Sequence, residues 1–305
     1  MSQPILLTGA HRTGTTWAGK MLAASPQVAY ISEPLNRLHR PGVLRANVPH
    51  WYTYICEENE SAYLPAFREM LAFRYGLWRE IRSLRSAKDA ARMGRDFLIF
   101  ARGRLTRQRA LLKDPFAIFS IPWFVEKLGC RVLVTVRHPA GFVSSLKRLN
   151  WPFDFQDLLA QPLLMRDFLA SEREEMESIP SEDIIGQAAL LWKIIYRIVH
   201  QTQNLLPAIE VIRHEDLSLD PVSGFRTLYE KLELEFTPKI EQIILNASSA
   251  GNPNELSKKK VHSVKLDSRA NVDNWKKRLS ADEIQRVREI TAEVAEMYYP
   301  DAEWN

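Results

Sequence analysis

The feature that most limits what this chain can fold into is residues 4–24, PILLTGAHRTGTTWAGKMLAA. Residues 5–7 form a short apolar run typical of a buried strand, residues 9–14 form a turn between two glycines, and residues 15–24 have helical periodicity before Ser-Pro ends the helix. In a strand, turn and helix of this kind, the turn amides and the first helical N–H groups point at one spot, where the helix dipole adds positive charge. The stretch therefore predicts a phosphate-binding turn in an α/β sheet.

The residues of the turn indicate which phosphate compound it binds. A nucleoside-triphosphate loop reads G-x4-G-K-[ST], with the Lys on the β/γ-phosphates and the Ser/Thr on magnesium. Here the glycine spacing is right, but Thr15 replaces the Lys and a cation, Arg12, lies inside the turn. The segment HRTGTTW, residues 11–17, resembles the phosphosulfate-binding loop of the sulfotransferases, which use 3′-phosphoadenosine 5′-phosphosulfate (PAPS) as donor.

Composition is compatible with one large globular domain. The chain has 305 residues, 46% of them hydrophobic, and a formal net charge of +4. The longest helical apolar run, residues 188–199, contains Lys193 and Arg197, which argues against a transmembrane helix. The first strand begins within four residues, which leaves no room for a signal peptide, and the two cysteines are far apart, so we expect a cytoplasmic protein with reduced thiols.

Strand signals alternate with helical ones along the chain. Further strands are predicted at residues 28–31, 110–113, 131–136 and 209–213, of which the third (RVLVTV) is the clearest and is expected to be central. This alternation favours parallel βαβ units, so the predicted fold is α/β: three αβα layers with a P-loop-like parallel sheet, flanked by helices and carrying helical insertions. We interpret residues 1–305 as a single sulfotransferase-like domain.

Two stretches interrupt that pattern. Residues 68–113 carry 13 Lys/Arg and four Asp/Glu, a net charge of +9, with apolar residues at helical spacing. Residues 68–109 are predicted to be a basic helical insertion whose surface is either simply solvated or attracted to an anionic membrane or an acidic glycan. Residues 150–184, an aromatic patch followed by acidic residues, are interpreted as a mobile surface segment.

The resemblance assigns donor-binding roles to three parts of the chain. In the first loop these residues are His11, Arg12, Thr13, Gly14, Thr15, Thr16 and Trp17. The second signature of the family, a strand-end Arg followed eight residues later by a Ser, both on the 3′-phosphate, is matched by Arg137 and Ser145, with Ser144 as an alternative. Arg269 resembles a basic residue of the C-terminal loop that covers that phosphate. His214 stands where the family has a Tyr, which leaves its contact with adenine open.

Catalysis of sulfuryl transfer needs a cation beside the leaving oxygen and a base for the proton of the acceptor. Arg12 supplies the first. Glu33, at the end of what we expect to be the neighbouring strand, is the predicted base, because the carbohydrate and tyrosyl-protein branches of the family have a Glu there. Lys113, at the end of the third predicted strand, completes the catalytic set, and His39 and His138 are alternative bases.

The sequence thus predicts a PAPS-dependent sulfotransferase that yields PAP, uses no metal, binds no nucleic acid and acts on a hydroxyl of a carbohydrate, glycolipid or related acceptor. Peripheral membrane contact through residues 68–113 is a further prediction, and nothing in the sequence indicates the oligomeric state. Two alternatives remain: an ATP-dependent phosphotransferase, which the missing loop Lys disfavours, and a non-catalytic protein that binds anionic membranes through the basic segment.

Overall fold

The computed structural model describes residues 3–38, 40–206, 208–255 and 264–304. Within these ranges the chain forms one sheet of five parallel strands in the order β2-β3-β1-β4-β5. The strands are β1 (Ile5–Gly9), β2 (Val28–Ser32), β3 (Arg109–Lys113), β4 (Arg131–Val136) and β5 (Ile209–Arg213). The predicted parallel sheet is confirmed, with β1 rather than β4 at its centre.

Helices connect the strands and cover the sheet. In chain order they are α1 (Thr15–Leu22), α2 (Leu64–Leu71), α3 (Leu77–Ser83), α4 (Ala87–Leu105), α5 (Ile121–Leu128), α6 (Pro139–Leu149), α7 (Gln156–Leu159), α8 (Pro162–Leu164), α9 (Arg173–Ser178), α10 (Ile184–Leu205), α11 (His214–Leu219), α12 (Pro221–Lys231), α13 (Pro238–Ser248), α14 (Ser268–Val272) and α15 (Ala281–Ala295). The predicted capping box of the last helix is present, with Ser280 and Glu283 bonding reciprocally to each other's backbone.

Two separate apolar cores explain why the sheet lies between two helical layers. Side chains of a strand alternate between the two faces, so Ile5 and Leu7 pack with α1, α12 and α13, whereas Leu6 packs on the other face in a cluster that includes α6, α10 and α15. Both faces are covered, and the inner strands β1 (ILLTG) and β4 (RVLVTV) are accordingly almost continuously apolar, as buried parallel strands generally are. The result is the predicted three-layer αβα arrangement.

The strand order corrects one part of the sequence-based expectation. Glu33 follows β2, which we expected to lie beside β1, but β3 lies between them and β2 is the edge strand. The chain leaves β1, passes over to the edge, returns to fill the gap with β3 and then crosses β1 to form β4. No local sequence pattern shows that a strand position is skipped, because the sequence of a connecting helix or irregular segment does not state how many strands it passes over.

The two stretches that interrupt the pattern are largely helical. Residues 68–109 contain the second half of α2 together with α3 and α4, of which α4 packs beside β2 and α3 packs on α4. Residues 150–184 contain short helices whose apolar side chains, among them Leu158, Leu164, Leu169 and Met176, are buried in the main core. Mobility of this second stretch stays a prediction, and any movement of it would have to expose those side chains.

Candidate active site

The β1–α1 turn is shaped by its two glycines. Gly9 has φ 144° and Gly14 has φ 92°, conformations that L side chains rarely adopt. A Cβ on Gly9 would lie 2.4 Å from the backbone oxygen of Thr135 on β4, and one on Gly14 would lie 2.5 Å from Nδ1 of His214. The glycines therefore let the turn pack directly against β4 and α11, and α1 begins with no side-chain cap on its first N–H groups. Those amides are available to an anion.

Thr13 differs from the other hydroxyl residues of the turn. Its hydroxyl is fully buried, donates to the Ala10 carbonyl at 2.6 Å and bonds to the Thr135 hydroxyl at 2.8 Å. Thr15 and Thr16, by contrast, line a cavity in front of the turn. The side chain of Thr13 therefore fastens the turn to β4.

The cavity in front of the turn, called here the turn cavity, is walled by three parts of the chain distant in sequence. The turn and α1 contribute Arg12 and Trp17, the end of β4 contributes Arg137, and α11 contributes His214 and Ser218, while residues 264–271 close the far side. Trp17 and His214 meet edge to face, with ring centroids 5.9 Å apart. Burial, and secondarily Arg137, lowers the pKa of His214 to about 3, so its ring is neutral at pH 7.

Arginines converge beside this cavity. Nε of Arg12 donates to the Ser145 hydroxyl at 3.2 Å, and Nη1 of Arg137 lies 3.4 Å from the Arg12 carbonyl oxygen. Burial, then the guanidinium groups of Arg137, Arg148 and Arg278, lowers the pKa of Arg12 to about 10. A bound anion would relieve this mutual repulsion, so the arrangement favours an anionic ligand.

The ends of β4 and β5 are held by a buried polar cluster behind the arginines. Glu215, the acid after His214, accepts from the His138 backbone N–H at 3.0 Å and from the Tyr299 hydroxyl at 2.8 Å. The His138 ring stacks on Trp275, and burial lowers its pKa to about 3. His138 lines neither of the cavities described here, so its position gives no support to the alternative that it is a base.

A second, larger cavity lies on the other side of Arg12. It has a volume of about 800 Å³, and Arg12, Thr15 and Thr16 line both cavities. Five aromatic side chains line it, and we call it the aromatic cavity. The aromatic side chains that line it are Trp51, Tyr52, Phe116, Trp151 and Phe153. The Arg12 guanidinium lies over the Trp151 ring, 5.8 Å from its centroid.

The irregular segments that form the aromatic cavity are held by side chains that bond to backbone N–H groups. Asp157 accepts from the N–H groups of Trp51 and Tyr52 at 2.8 and 3.0 Å, and Gln161 accepts from the N–H of Tyr54 at 2.8 Å. These hydrogen bonds take the place of the backbone ladder that a neighbouring strand would provide, and they satisfy buried backbone N–H groups. The cavity is therefore built by contacts between residues about 105 positions apart.

Glu33 lies in the wall of the aromatic cavity. It forms an ion pair with Nζ of Lys113, a lysine only 1% exposed, and its other carboxylate oxygen accepts from the Asn36 amide at 2.7 Å. Both Arg12 and Glu33 have positive φ, 71° and 51°, a conformation that costs energy for residues with a Cβ and often occurs at functional sites. The structure thus brings Glu33 and Lys113 together and places Glu33 and Arg12 around one cavity.

His11 also lines the aromatic cavity. Its Nδ1 bonds to the Tyr52 hydroxyl at 2.7 Å, and burial, reinforced by Arg12, lowers its pKa to about 4. His11 is therefore neutral at pH 7. It connects the turn to the aromatic wall, rather than lining the turn cavity with its neighbours.

Other predicted residues are placed as follows. Ser145 is buried as the acceptor from Arg12, and the Ser144 hydroxyl donates to the Gly141 carbonyl instead. Arg269 is exposed and donates to the Leu219 carbonyl at 2.8 Å, outside the lining of the turn cavity. His39 lies outside the described residues.

Several residues of the site had no distinguishing signal in the sequence. Asn36, His50 and Asp157 line the aromatic cavity, and Arg148 and Arg278 join the cationic cluster. Arg278 lies in the C-terminal stretch that resembles the family but is not singled out there, and the other four residues occur in segments where no role is predicted for them, so their positions in the fold identify them. The described ranges contain no group of three or more His, Cys, Asp or Glu residues that could hold a metal ion, and no helix within them is long and apolar enough to cross a membrane.

Comparison with known proteins agrees with this geometry. A model of the sulfotransferase family matches residues 4–238. Among solved structures, the sulfotransferase domain of the Synechococcus PCC 7002 olefin synthase is similar over 99% of this chain and 97% of that chain, at 17% identity and a TM-score of 0.53. The sulfotransferase domain from the curacin biosynthetic pathway is similar over 95% and 97%, at 15% identity and a TM-score of 0.47. None of the curated proteins matches significantly.

Proposed function

The chain belongs to the sulfotransferase family, and we propose that it transfers the sulfuryl group of PAPS to a hydroxyl of an acceptor bound in the aromatic cavity. Sulfotransferases use PAPS as donor and release PAP. The observation that carries the proposal is that Arg12 lines both cavities, between a turn suited to phosphate and an apolar cavity with a carboxylate in its wall. Donor and acceptor would meet at that guanidinium.

The residues around the turn cavity fit the donor. The uncapped amides at the start of α1 and the hydroxyls of Thr15 and Thr16 would bind its 5′-phosphate, and Arg137 would bind its 3′-phosphate. Trp17, edge-on to the neutral His214, offers an apolar wall for the adenine. When bound, the donor supplies an activated sulfuryl group.

Arg12 and Glu33 would perform the two tasks of the transfer itself. Arg12 would stabilise negative charge on the phosphate oxygen that leaves with the electron pair of the broken S–O bond. Glu33 would accept the proton of the acceptor hydroxyl as its oxygen bonds to sulfur. Lys113 would hold Glu33 in position through their ion pair, while Asn36 holds the other carboxylate oxygen.

The shape of the aromatic cavity supports an acceptor with a flat apolar face. Trp51, Trp151 and Phe116 provide ring surfaces, and Glu33, His50 and Asp157 supply polar atoms among them. Sugar rings present such faces of C–H groups, and a lipid or aromatic aglycone would add to them. We therefore keep a carbohydrate or glycolipid hydroxyl as the proposed acceptor, in a cytoplasmic setting suited to the free thiols of Cys56 and Cys130.

Ligand binding distinguishes the proposed sulfotransferase from the alternative, an ATP-dependent phosphotransferase. PAP should raise the melting temperature, because a ligand bound only by the native state stabilises it, whereas Mg-ATP at the same concentration should not. Arg137→Gln should reduce the PAP shift, and Arg226→Gln, on the surface of α12, should leave it unchanged. An equal shift with Mg-ATP, or none with PAP, would contradict the proposal.

Labelled PAPS incubated with pools of glycans, glycolipids and phenols then identifies the acceptor class.

A further inference from the structure

The surface formed by α3 and α4, residues 77–107, is more basic than its sequence suggests. It contains nine Lys/Arg and three Asp/Glu. Two of the three acids point inward: Glu80 is 2% exposed and accepts from the Gly42 N–H at 2.7 Å, and the buried Asp96 pairs with Arg40 and Arg95. Most of the cations remain exposed, so the outer side of this pair of helices presents almost uncompensated positive charge.

Large apolar side chains project from the same surface. Trp78 is 76% exposed, Leu98 is 67% exposed and Leu105 is 83% exposed. Exposed apolar side chains are normal when isolated, but these lie among arginines. On α4 the residues Ala91, Arg95, Leu98, Arg102 and Leu105 follow one another at spacings of four and three, so basic and apolar side chains alternate along one side of the helix.

We propose that the α3–α4 surface docks on an anionic lipid bilayer. Guanidinium groups bind the phosphates of lipid headgroups, and apolar side chains beside them enter the boundary between headgroups and acyl chains, as in interfacial helices. Charge complementarity selects an anionic partner, and the projecting Trp and Leu side chains select a bilayer over a soluble polyanion, which offers them no apolar environment. This assignment does not depend on the reaction.

The surface is connected to the aromatic cavity through one segment. The segment consists of residues 36–38 and 40–45, shortly after Glu33. Asn36 and Arg37 line the cavity, and the Arg40–Asp96 ion pair and the Gly42–Glu80 hydrogen bond fasten residues 40–45 to α4 and α3. The exposed Leu38 lies in this segment. A bilayer on the α3–α4 surface would therefore lie next to a segment that lines the aromatic cavity.

The electrostatic part is tested by co-sedimentation of the 305-residue chain with phosphatidylcholine vesicles and with vesicles containing 30% phosphatidylglycerol. We expect binding only to the anionic vesicles at low salt and its loss at high salt, because exposed charges are screened. Arg79→Gln/Arg102→Gln should weaken partitioning about 30-fold, on the basis of about a tenfold loss per 1.4 kcal/mol and about 1 kcal/mol per cation. The control Arg226→Gln/Lys239→Gln removes equal charge from α12 and α13 and should have little effect.

The role of the apolar side chains is tested by measuring whether they enter the bilayer. Brominated lipids should quench tryptophan fluorescence of the wild-type protein, and Trp78→Phe should lose that quenching while still binding. Leu98→Ser/Leu105→Ser should weaken partitioning at least about tenfold, whereas Leu205→Ser, equally exposed on α10, should not. A cooperative thermal unfolding transition like that of the wild-type protein checks that each variant is folded.

Two outcomes would overturn the proposal. One is the absence of binding to phosphatidylglycerol vesicles at low salt. The other is binding to soluble heparin as tight as to vesicles, with no bromolipid quenching and no effect of the Leu substitutions, which would identify an acidic macromolecule as the partner.

Discussion

The two cavities that meet at Arg12 are built in opposite ways. The turn cavity is formed at strand ends and at the beginning of α1, where backbone geometry and two glycines fix its shape. The aromatic cavity is formed by connecting segments at residues 33–38 and 50–52, by Pro115 and Phe116 after β3, and by residues 151–157, which lead into α7; side chains such as Asp157 supply hydrogen-bond partners to backbone groups that have none in a ladder. The first depends mainly on strand ends and the β1–α1 turn, to which α11 and residues 264–271 add side chains, and the second depends mainly on side-chain contacts between connecting segments.

This difference teaches which parts of the site are free to vary. A phosphate site made of backbone amides at a strand–helix turn is suited to a constant ligand, because those amides cannot change without changing the fold. A cavity made of side chains on irregular segments can accept other substituents at little cost to the fold. Substitutions on the two sides should therefore separate donor effects from acceptor effects.

The largest effect is expected for Glu33→Gln, which removes the proposed base from the aromatic side alone. Turnover should fall about 1000-fold, the middle to upper range for loss of a general base, while PAP affinity measured by calorimetry stays unchanged. Loss of PAP affinity would mean that the two sides are not separable.

Because Glu33 also pairs with the buried Lys113, a control must distinguish a structural role of Glu33 from its proposed role as the base. Glu33→Gln/Lys113→Met removes both charges and relieves the penalty of an unpaired buried ammonium. The double variant should be more stable than Glu33→Gln and equally inactive. Recovery of turnover in the double variant would show that Glu33 serves only as an ion-pair partner.

Arg12→Ala should be the one substitution that affects both sides. We expect turnover to fall about 100-fold, because a preorganised charge beside the leaving oxygen is lost, together with weaker PAP binding. Steady-state rates and PAP calorimetry measure the two effects. A near-normal rate would remove Arg12 from the mechanism.

Acid should destabilise the protein through two neutral histidines that are buried near the ends of β4 and β5, His214 in the wall of the turn cavity and His138 behind it. Their native pKa values of about 3 lie below the ordinary value of 6.5, so the unfolded chain binds protons that the native protein does not, and stability falls as pH drops below 6.5. Each should cost about 2 kcal/mol of the free energy of unfolding at pH 5. His138→Phe should preserve the stack on Trp275 and recover about that amount, as measured by urea unfolding at pH 7 and pH 5. An unchanged pH slope would contradict this reading.

The smallest effect is expected for Asp157→Ala on the acceptor side. It leaves the N–H groups of Trp51 and Tyr52 without their acceptor, which loosens the aromatic wall and should raise the KM for the acceptor about tenfold. PAP affinity should not change. Asp154→Ala, an exposed neighbour that also lines the cavity, is the matched control.

The sequence predicts the β1–α1 turn and the strands around it well and the aromatic cavity poorly, for a physical reason. The strands and the turn are specified by neighbouring residues, so the Gly9 and Gly14 spacing and the apolar run of β4 are visible in the sequence. The hydrogen bonds that Asp157 accepts from the N–H groups of Trp51 and Tyr52 join residues about 105 positions apart, and no local sequence pattern predicts them. The place of β2 at the edge, and the entry of Arg148 and Arg278 into the cationic cluster, likewise depend on the assembled fold.

The alignment of the edge strand has a consequence for activity. Ser32 on β2 is paired with Lys113 on β3, and the Glu33 N–H donates to the Lys113 carbonyl at 2.7 Å. Since alternate residues of a strand face opposite ways, a slip by a single residue would bring a neighbour of Lys113 that points to the other face opposite Ser32. A molecule mispaired in this way could keep its overall fold and still lack a correctly held carboxylate, so errors in assembling an outer strand would appear as lost turnover before they appeared as lost structure.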